Sequence, residues 1–205
     1  MSSFREVLKV QRWDDHRYYH HSCINQSLHL VSAVSFVCAY VVSLRDPAVA
    51  ALTGWLVAMT TRQIGHLVFE PKGYDEVNQA THEYKEAIKV GYNLRRKIVL
   101  MTIWALSPLV LFIDPTLLRT VAPARTWTDF ARHVGWMWLV LGVGGLAFRT
   151  LHLFFIRDVQ TGLVWATKIL TDPFHDIKLY YRAPTRLLRG QLFDVETEEG
   201  HAVGH

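Results

Sequence analysis

Apolar positions along this chain gather into four runs, approximately 28–45, 47–69, 97–118 and 134–156, with charge concentrated between them. Each run is near the ~20 residues that carry an α-helix across a bilayer. The pattern therefore predicts an all-α fold, an integral membrane bundle of four transmembrane helices with short amphipathic or interfacial helices around it. The first run is the shortest, and its polar beginning puts its start at the interface. Ahead of it, residues 3–12 place Phe4, Val7, Leu8 and Gln11 on one side of a helix, as a surface-lying element does. Trp13, Tyr18 and Tyr19 follow, the aromatics of a membrane interface. Residues 159–170 are apolar but short for a span, so 159–190 is expected to be an interfacial segment. From Asp194 to His205 the chain is acidic and bears Gly and His, and this tail is expected to be disordered. That leaves 1–193 as a single four-span membrane domain.

The breaks between runs set the geometry. Asp46-Pro47 allows only a very short turn between the first two runs, so those helices must be antiparallel neighbours. Pro71-Lys72-Gly73 ends the second, and residues 74–97 read as a polar helix, with Glu83, Lys85, Glu86 and Lys89, inside a loop over 71–96. Pro108 lies within the third run and is expected to kink it. Asp114-Pro115 and Pro123 mark the next loop. Gly142, Gly144 and Gly145 in the fourth run would allow close helix approach.

Composition adds little that the distribution does not, since half the residues are hydrophobic and a soluble chain can share that average. Charge placement adds more. Lys and Arg cluster before the first run, between the second and third, and after the fourth. The two remaining connections hold only Arg45, and then Arg119, Arg125 and Arg132. The positive-inside rule then places both termini and the 71–96 loop in the cytoplasm. The net charge of +4 reads as attraction to anionic lipid, and no motif points to nucleic acid. No apolar signal segment precedes His29. Cys23 and Cys38 are expected to be free thiols.

Two stretches carry chemistry that hydrocarbon disfavours: His20 to His29 at the start of the first run, and Arg62 to Glu70 at the end of the second. In membrane helices such groups face a bundle interior or a wet cavity and mark function. The antiparallel hairpin brings both stretches to one rim. On a helix His21, Asn25 and His29 share a face at i, i+4, i+8, and so do His66 and Glu70 at i, i+4. Three histidines from two helix ends make a first shell for a divalent metal. Glu70 is either a fourth ligand or the partner that orients an imidazole through its second nitrogen. Asn25 and Gln63 read as hydrogen-bonding support or substrate contacts. Arg62 or Arg149 offers a planar fork for a carboxylate. His152, three residues after Arg149, is a further candidate ligand. His16, His82, His133, His175, His201 and His205 carry no such reading.

Tyr19-His20, Asn25 and His29, followed by Gln63-Ile64-Gly65-His66-Leu67-Val68-Phe69-Glu70, resemble the two signatures of the Mpo1-like family of membrane 2-hydroxy fatty acid dioxygenases. The resemblance covers about residues 13–70. It implies an Fe(II)-dependent oxidoreductase of lipid α-oxidation that uses O2 to shorten a long-chain 2-hydroxy fatty acid by one carbon. By position it selects His20, with His29 and His66, as the metal ligands, whereas helical phase alone favours His21 in place of His20. After Glu70 the chain departs from the family's basic residue and Pro-Ala-Leu run, reading Pro71-Lys72-Gly73-Tyr74-Asp75-Glu76, which implies a specialised loop.

A rival reading is a non-catalytic membrane subunit or assembly factor of a homo-oligomer or larger complex, with the histidines binding lipid, pigment, haem or a partner chain. A di-iron hydroxylase is hinted at by His16-x3-His20-His21, but the other histidine boxes of that class are missing.

Overall fold

The computed structural model describes residues 3–70, 73–75, 78–90 and 94–194. Among them the fold is all-α, with two isolated β-bridges and no strand. Helix α1 (Phe4–Tyr19) begins at Ser3, which forms a capping box with Glu6. It stops at Tyr19, and His20 leaves helical geometry at φ −120°, ψ 41°. Ser22 then caps α2 (Cys23–Ser43) by accepting from the Ile24 amide at 3.2 Å. His20 and His21 thus sit in a bend between two helices rather than on one. The 21 residues of α2 rise about 31 Å, the thickness of a hydrocarbon core.

Asp46 caps α3 (Pro47–Thr53) through the Val49 amide, with Pro47 in the first turn. From there the backbone stays helical to Phe69, through a π turn at Gly54–Met59, α4 (Thr60–Ile64) and a second π turn at Gly65–Phe69. Such widened turns recur at functional sites, and the second carries His66. The polar helix expected over 74–97 is shorter. Asp75 and Ala80 exchange backbone hydrogen bonds across a turn containing Asn78, since Asp and Asn side chains compete with the helix for backbone amides. Among the described residues of this segment, only α5 (His82–Ile88) is helical before α6 (Leu94–Leu106) begins. Pro71 and Lys72 lie outside the described residues.

Pro108 falls in a 3-10 turn, Ser107–Leu109, that joins α6 to α7 (Val110–Ile113). It lacks the amide an α-helix would need there. Helix α8 (Trp127–Ile156) crosses α3 at Gly135, where a Cβ would lie 2.4 Å from the Ala48 carbonyl oxygen. The close approach expected at Gly144 and Gly145 is not there, because their missing side chains would point into open space. Trp55, Trp104 and Trp138 stack in series at 4.9 and 4.8 Å, and Trp55 donates to the Trp138 carbonyl. This ladder ties the second apolar run to α6 and α8.

Among the described residues, three helical stretches are long and apolar enough to cross a membrane: Cys23–Ser43, Arg95–Ile113 and Trp127–Ile156. Their outer faces expose Val31, Val34, Ile103, Leu106, Val140 and Phe148, while the interior holds Asn25, Gln26, His29, Arg149, Lys168 and Asp172. An apolar exterior around a polar interior is the arrangement a lipid solvent favours.

Helix α9 (Val159–Tyr180), expected to be only interfacial, packs against α2, α8 and α1. Its Lys168 pairs with Asp15 and Asp172, and Arg12 of α1 reaches Asp172 at 3.1 Å and Thr171 at 2.7 Å. After α10 (Ala183–Leu188), the chain returns to the start of α2. There Cys23 donates to the Leu192 carbonyl and Asp194 to the His21 carbonyl. Asp194, expected to open the tail, is thus tied to the start of α2, and 195–205 lie outside the described residues. Cys23 and Cys38 are free.

Candidate metal centre

The bend after α1, the first turns of α2 and the second π turn meet at one end of the hairpin. They bring together His20, His29 and His66, all buried, with one ligand atom of each within 4.8 Å of the others. Ring centroids lie 4.1 Å (His20–His29), 4.9 Å (His29–His66) and 5.5 Å (His20–His66) apart. Close approach is permitted by Gly65, where a Cβ would lie 2.2 Å from Asn25 Oδ1 and 3.2 Å from the His29 ring.

Hydrogen bonds set the tautomers. His29 Nδ1 lies 3.0 Å from the Asn25 carbonyl and His66 Nδ1 lies 2.7 Å from Glu70 Oε2. Carbonyl and carboxylate oxygens only accept, so both Nδ1 atoms carry protons and both Nε2 atoms present lone pairs. Those two Nε2 atoms lie 3.4 Å apart, with no proton left to share between them. His20 Nδ1 lies 2.7 Å from the Tyr180 hydroxyl, and His20 Nε2 is buried without a hydrogen-bond partner. Burial, with His29 and Arg62 nearby, holds the His20 imidazole well below its usual pKa, so it is neutral as a ligand must be.

This donor set fits a divalent transition metal. Two nitrogens each about 2.1 Å from one ion at tetrahedral to octahedral angles lie about 3.0–3.4 Å apart. Each imidazole is also oriented through its other nitrogen, as metal-binding histidines are. His20, His29 and His66 would be the ligands, with Glu70 in the orienting role rather than the ligating one. Burial pushes the Glu70 carboxyl up, and the Lys89 ammonium at 3.4 Å opposes that.

The structure separates the other candidates from this centre. His21 faces Asp75 at 3.6 Å. The helical phase that favoured it does not apply, because α2 starts two residues later. His152 accepts from Arg149, whose other nitrogen donates to the Val90 carbonyl, and the metal-spaced group comprises only His20, His29 and His66 among the described residues. Asn25 supports the centre twice: its carbonyl holds His29, and its amide nitrogen donates to the Tyr19 carbonyl at 2.8 Å. Gln63 is buried with Oε1 unbonded. Arg62, expected to be free for a substrate carboxylate, is paired with Asp176 of α9 at 3.1 Å.

Tyr180, Asp176 and His16 were missed by the sequence reading. Tyr180 is buried between His20 and His16, whose Nδ1 lies 3.2 Å from the same hydroxyl. Burial raises its pKa well above the phenol range, so it stays protonated: its oxygen accepts from His20 Nδ1 and its hydrogen goes to His16 Nδ1, which leaves the His20 Nε2 lone pair free. A signal was present: Lys168, Asp172, Asp176 and Tyr180 recur at every fourth residue of an otherwise apolar helix, one polar stripe on α9. Tyr180→Phe is expected to leave the fold intact and weaken metal binding about 10- to 100-fold, the loss typical of an outer partner; a Co(II) titration followed by absorbance checks it.

Asp176 offers a pH signature. Burial outweighs Arg62 and pushes its carboxyl up to about 6. The folded state then holds this proton more tightly than the unfolded chain. The stability it contributes is complete below its ordinary value of 3.8 and is lost as pH rises through about 6. Asp176→Asn keeps a neutral partner, so the melting point of wild type relative to this variant should fall between pH 4 and pH 7. A constant difference in melting scans across that range would contradict the assignment.

Comparison of the chain with protein-family models, with curated proteins and with solved structures gives no match.

Proposed function

We propose that the protein is an integral membrane metalloenzyme: an Fe(II)-dependent dioxygenase that shortens long-chain 2-hydroxy fatty acids by one carbon. The observation that carries the metal reading is the pair of facing Nε2 lone pairs beside the unpartnered His20 Nε2, all buried. The choice of iron and of the acid rests on the motif resemblance. The helical run from Pro47 to Phe69 serves as a fourth span antiparallel to α2, and both termini face the cytoplasm by the distribution of Lys and Arg.

Fe(II) held by His20, His29 and His66 would supply the electrons and Lewis acidity for oxidation of a hydroxy acid by O2. The chain supplies the rest. Glu70 and the Asn25 carbonyl fix the Nδ1 protons of His66 and His29, and the Tyr180 hydroxyl orients His20. Apolar helices exclude water from the centre. Arg62 reaches an incoming carboxylate by exchanging Asp176 for it, which keeps the buried guanidinium paired throughout.

Oxygen uptake by Fe(II)-loaded protein given 2-hydroxypalmitate tests the reaction. Uptake is expected with wild type and is lost in His66→Ala. Iron-loaded wild type that consumes no oxygen would rule the dioxygenase out.

A further inference from the structure

Arg5, Leu8, Lys9, Arg12, Trp13 and His16 are spaced as one continuous stripe of α1. In a bundle such a stripe packs on a neighbour, and here only its far end does so fully. Arg12 binds Asp172 and Thr171 of α9, and His16 meets Tyr180. The stripe otherwise lines a groove of ≈ 610 Å³ whose opposite wall is His175 and Leu179 of α9 with Asp194. That volume suits a small-molecule site, which spans about 300–1,000 Å³.

The groove is amphipathic. Leu8, Trp13 and Leu179 give it an apolar wall, and Trp13 is 44% exposed. Asp194, its one carboxylate, is held by Arg186 at 2.6 Å and by Gln26 at 2.9 Å. Arg5 and Lys9 are exposed, and among the described residues their side chains have no ion-pair or hydrogen-bond partner. Arg5, Lys9 and Arg12 form a ladder with one cation per helical turn. At its inner end the groove shares Arg12, His16, His175 and Leu179 with a water-sized polar cleft of ≈ 10 Å³, lined beyond them by Asp15, Asp172, Asp176, Tyr180, Arg62 and His20.

We propose that this groove binds the free long-chain carboxylic acid on its way to the histidine centre. Arg5 and Lys9 take the carboxylate, and Leu8, Trp13 and Leu179 take the alkyl chain. The proposal rests on the reading of the trio as a centre acting on a lipid acid. It adds the place where that acid is captured and the charge that selects it.

The test is photo-crosslinking of diazirine-labelled palmitic acid to the full-length protein in phosphatidylcholine nanodiscs, with peptide mapping. Label is expected on α1 and on the α9 segment containing His175 and Leu179, competed by palmitate and not by its methyl ester. The double variant R5Q/K9Q should lose about tenfold of that label, as for a lost charge-assisted contact worth about 1.4 kcal/mol, with its melting point and metal content unchanged. Label unchanged in R5Q/K9Q, or competition by the ester equal to that by the acid, would overturn the proposal. So would displacement by phosphatidic acid at lower concentration than palmitate, which assigns the groove to a phospholipid headgroup. His66→Ala separates the two readings. Charge-dependent label that persists in this variant supports the groove even if the metal reading fails, and label lost with the histidine places the acid elsewhere.

Discussion

Replacing His66 with alanine is expected to lower metal affinity by more than about 100-fold while the helical fold persists, since even outer partners of metal ligands cost about 10- to 100-fold. The side chain sits at the meeting point of two constraints. Its Nδ1 is held by Glu70 at 2.7 Å and its Nε2 faces that of His29 at 3.4 Å. Removing it leaves two donors, too few to hold a divalent ion tightly, and leaves Glu70 with Lys89 as its partner. The variant should therefore fold, with unchanged far-ultraviolet circular dichroism and no retained iron after desalting. His29→Ala should behave alike on metal. It should disturb the fold more, because His29 is fully buried and hydrogen-bonded to α2. Equal metal content in wild type and both variants would mean that the trio is not the site.

Gly65→Ala is the second large effect, and it acts without touching a ligand atom chemically. The new Cβ would lie 2.2 Å from Asn25 Oδ1 and 3.2 Å from the His29 ring. Neither neighbour can yield freely. Asn25 is fixed through its amide to the Tyr19 carbonyl, and His29 through Nδ1 to the Asn25 carbonyl. The π turn must move away from α2, which separates His66 from His29. Overpacking of this kind costs about 1–3 kcal/mol, and the melting point should fall accordingly. The more telling result is the metal: Gly65→Ala should lose Fe(II) affinity along with stability, whereas Gly144→Ala, which meets no neighbour within 4 Å, should lose neither. Wild-type iron affinity in Gly65→Ala would refute the close-approach argument.

How much of this was legible in the sequence depends on distance along the chain. The convergence of His29 with His66 follows from one short turn at Asp46-Pro47, because antiparallel helices bring their far ends together. The choice between His20 and His21 does not follow from periodicity. Phase arguments hold only within a helix, and the chain breaks at His20 before Ser22 caps the next one. Glu70 as orienting partner was one of two readings, and the 2.7 Å contact to Nδ1 decides it. The contribution of α9 was the least visible. Asp176 and Tyr180 lie more than a hundred residues from Arg62 and His20, and the polar stripe at a spacing of four on α9 does not by itself say which helices it faces. The same separation hides Asp176 as the partner of Arg62. Of the three glycines expected to pack, Gly142 lies against Trp55, where a Cβ would sit 3.6 Å from its ring, whereas Gly144 and Gly145 face open space: small residues permit close packing, but Gly135, Trp138 and Gly142 define the face of α8 that packs.

The central claim is that three neutral imidazoles at one rim of the hairpin hold a single divalent ion. Metal content of the wild-type protein tests it most directly, after anaerobic purification in mild detergent, Fe(II) loading and desalting. About one ion per chain is expected at pH 7.5, where the imidazoles are neutral. Less than about half an equivalent of iron, with no other divalent metal retained at that pH, would contradict it.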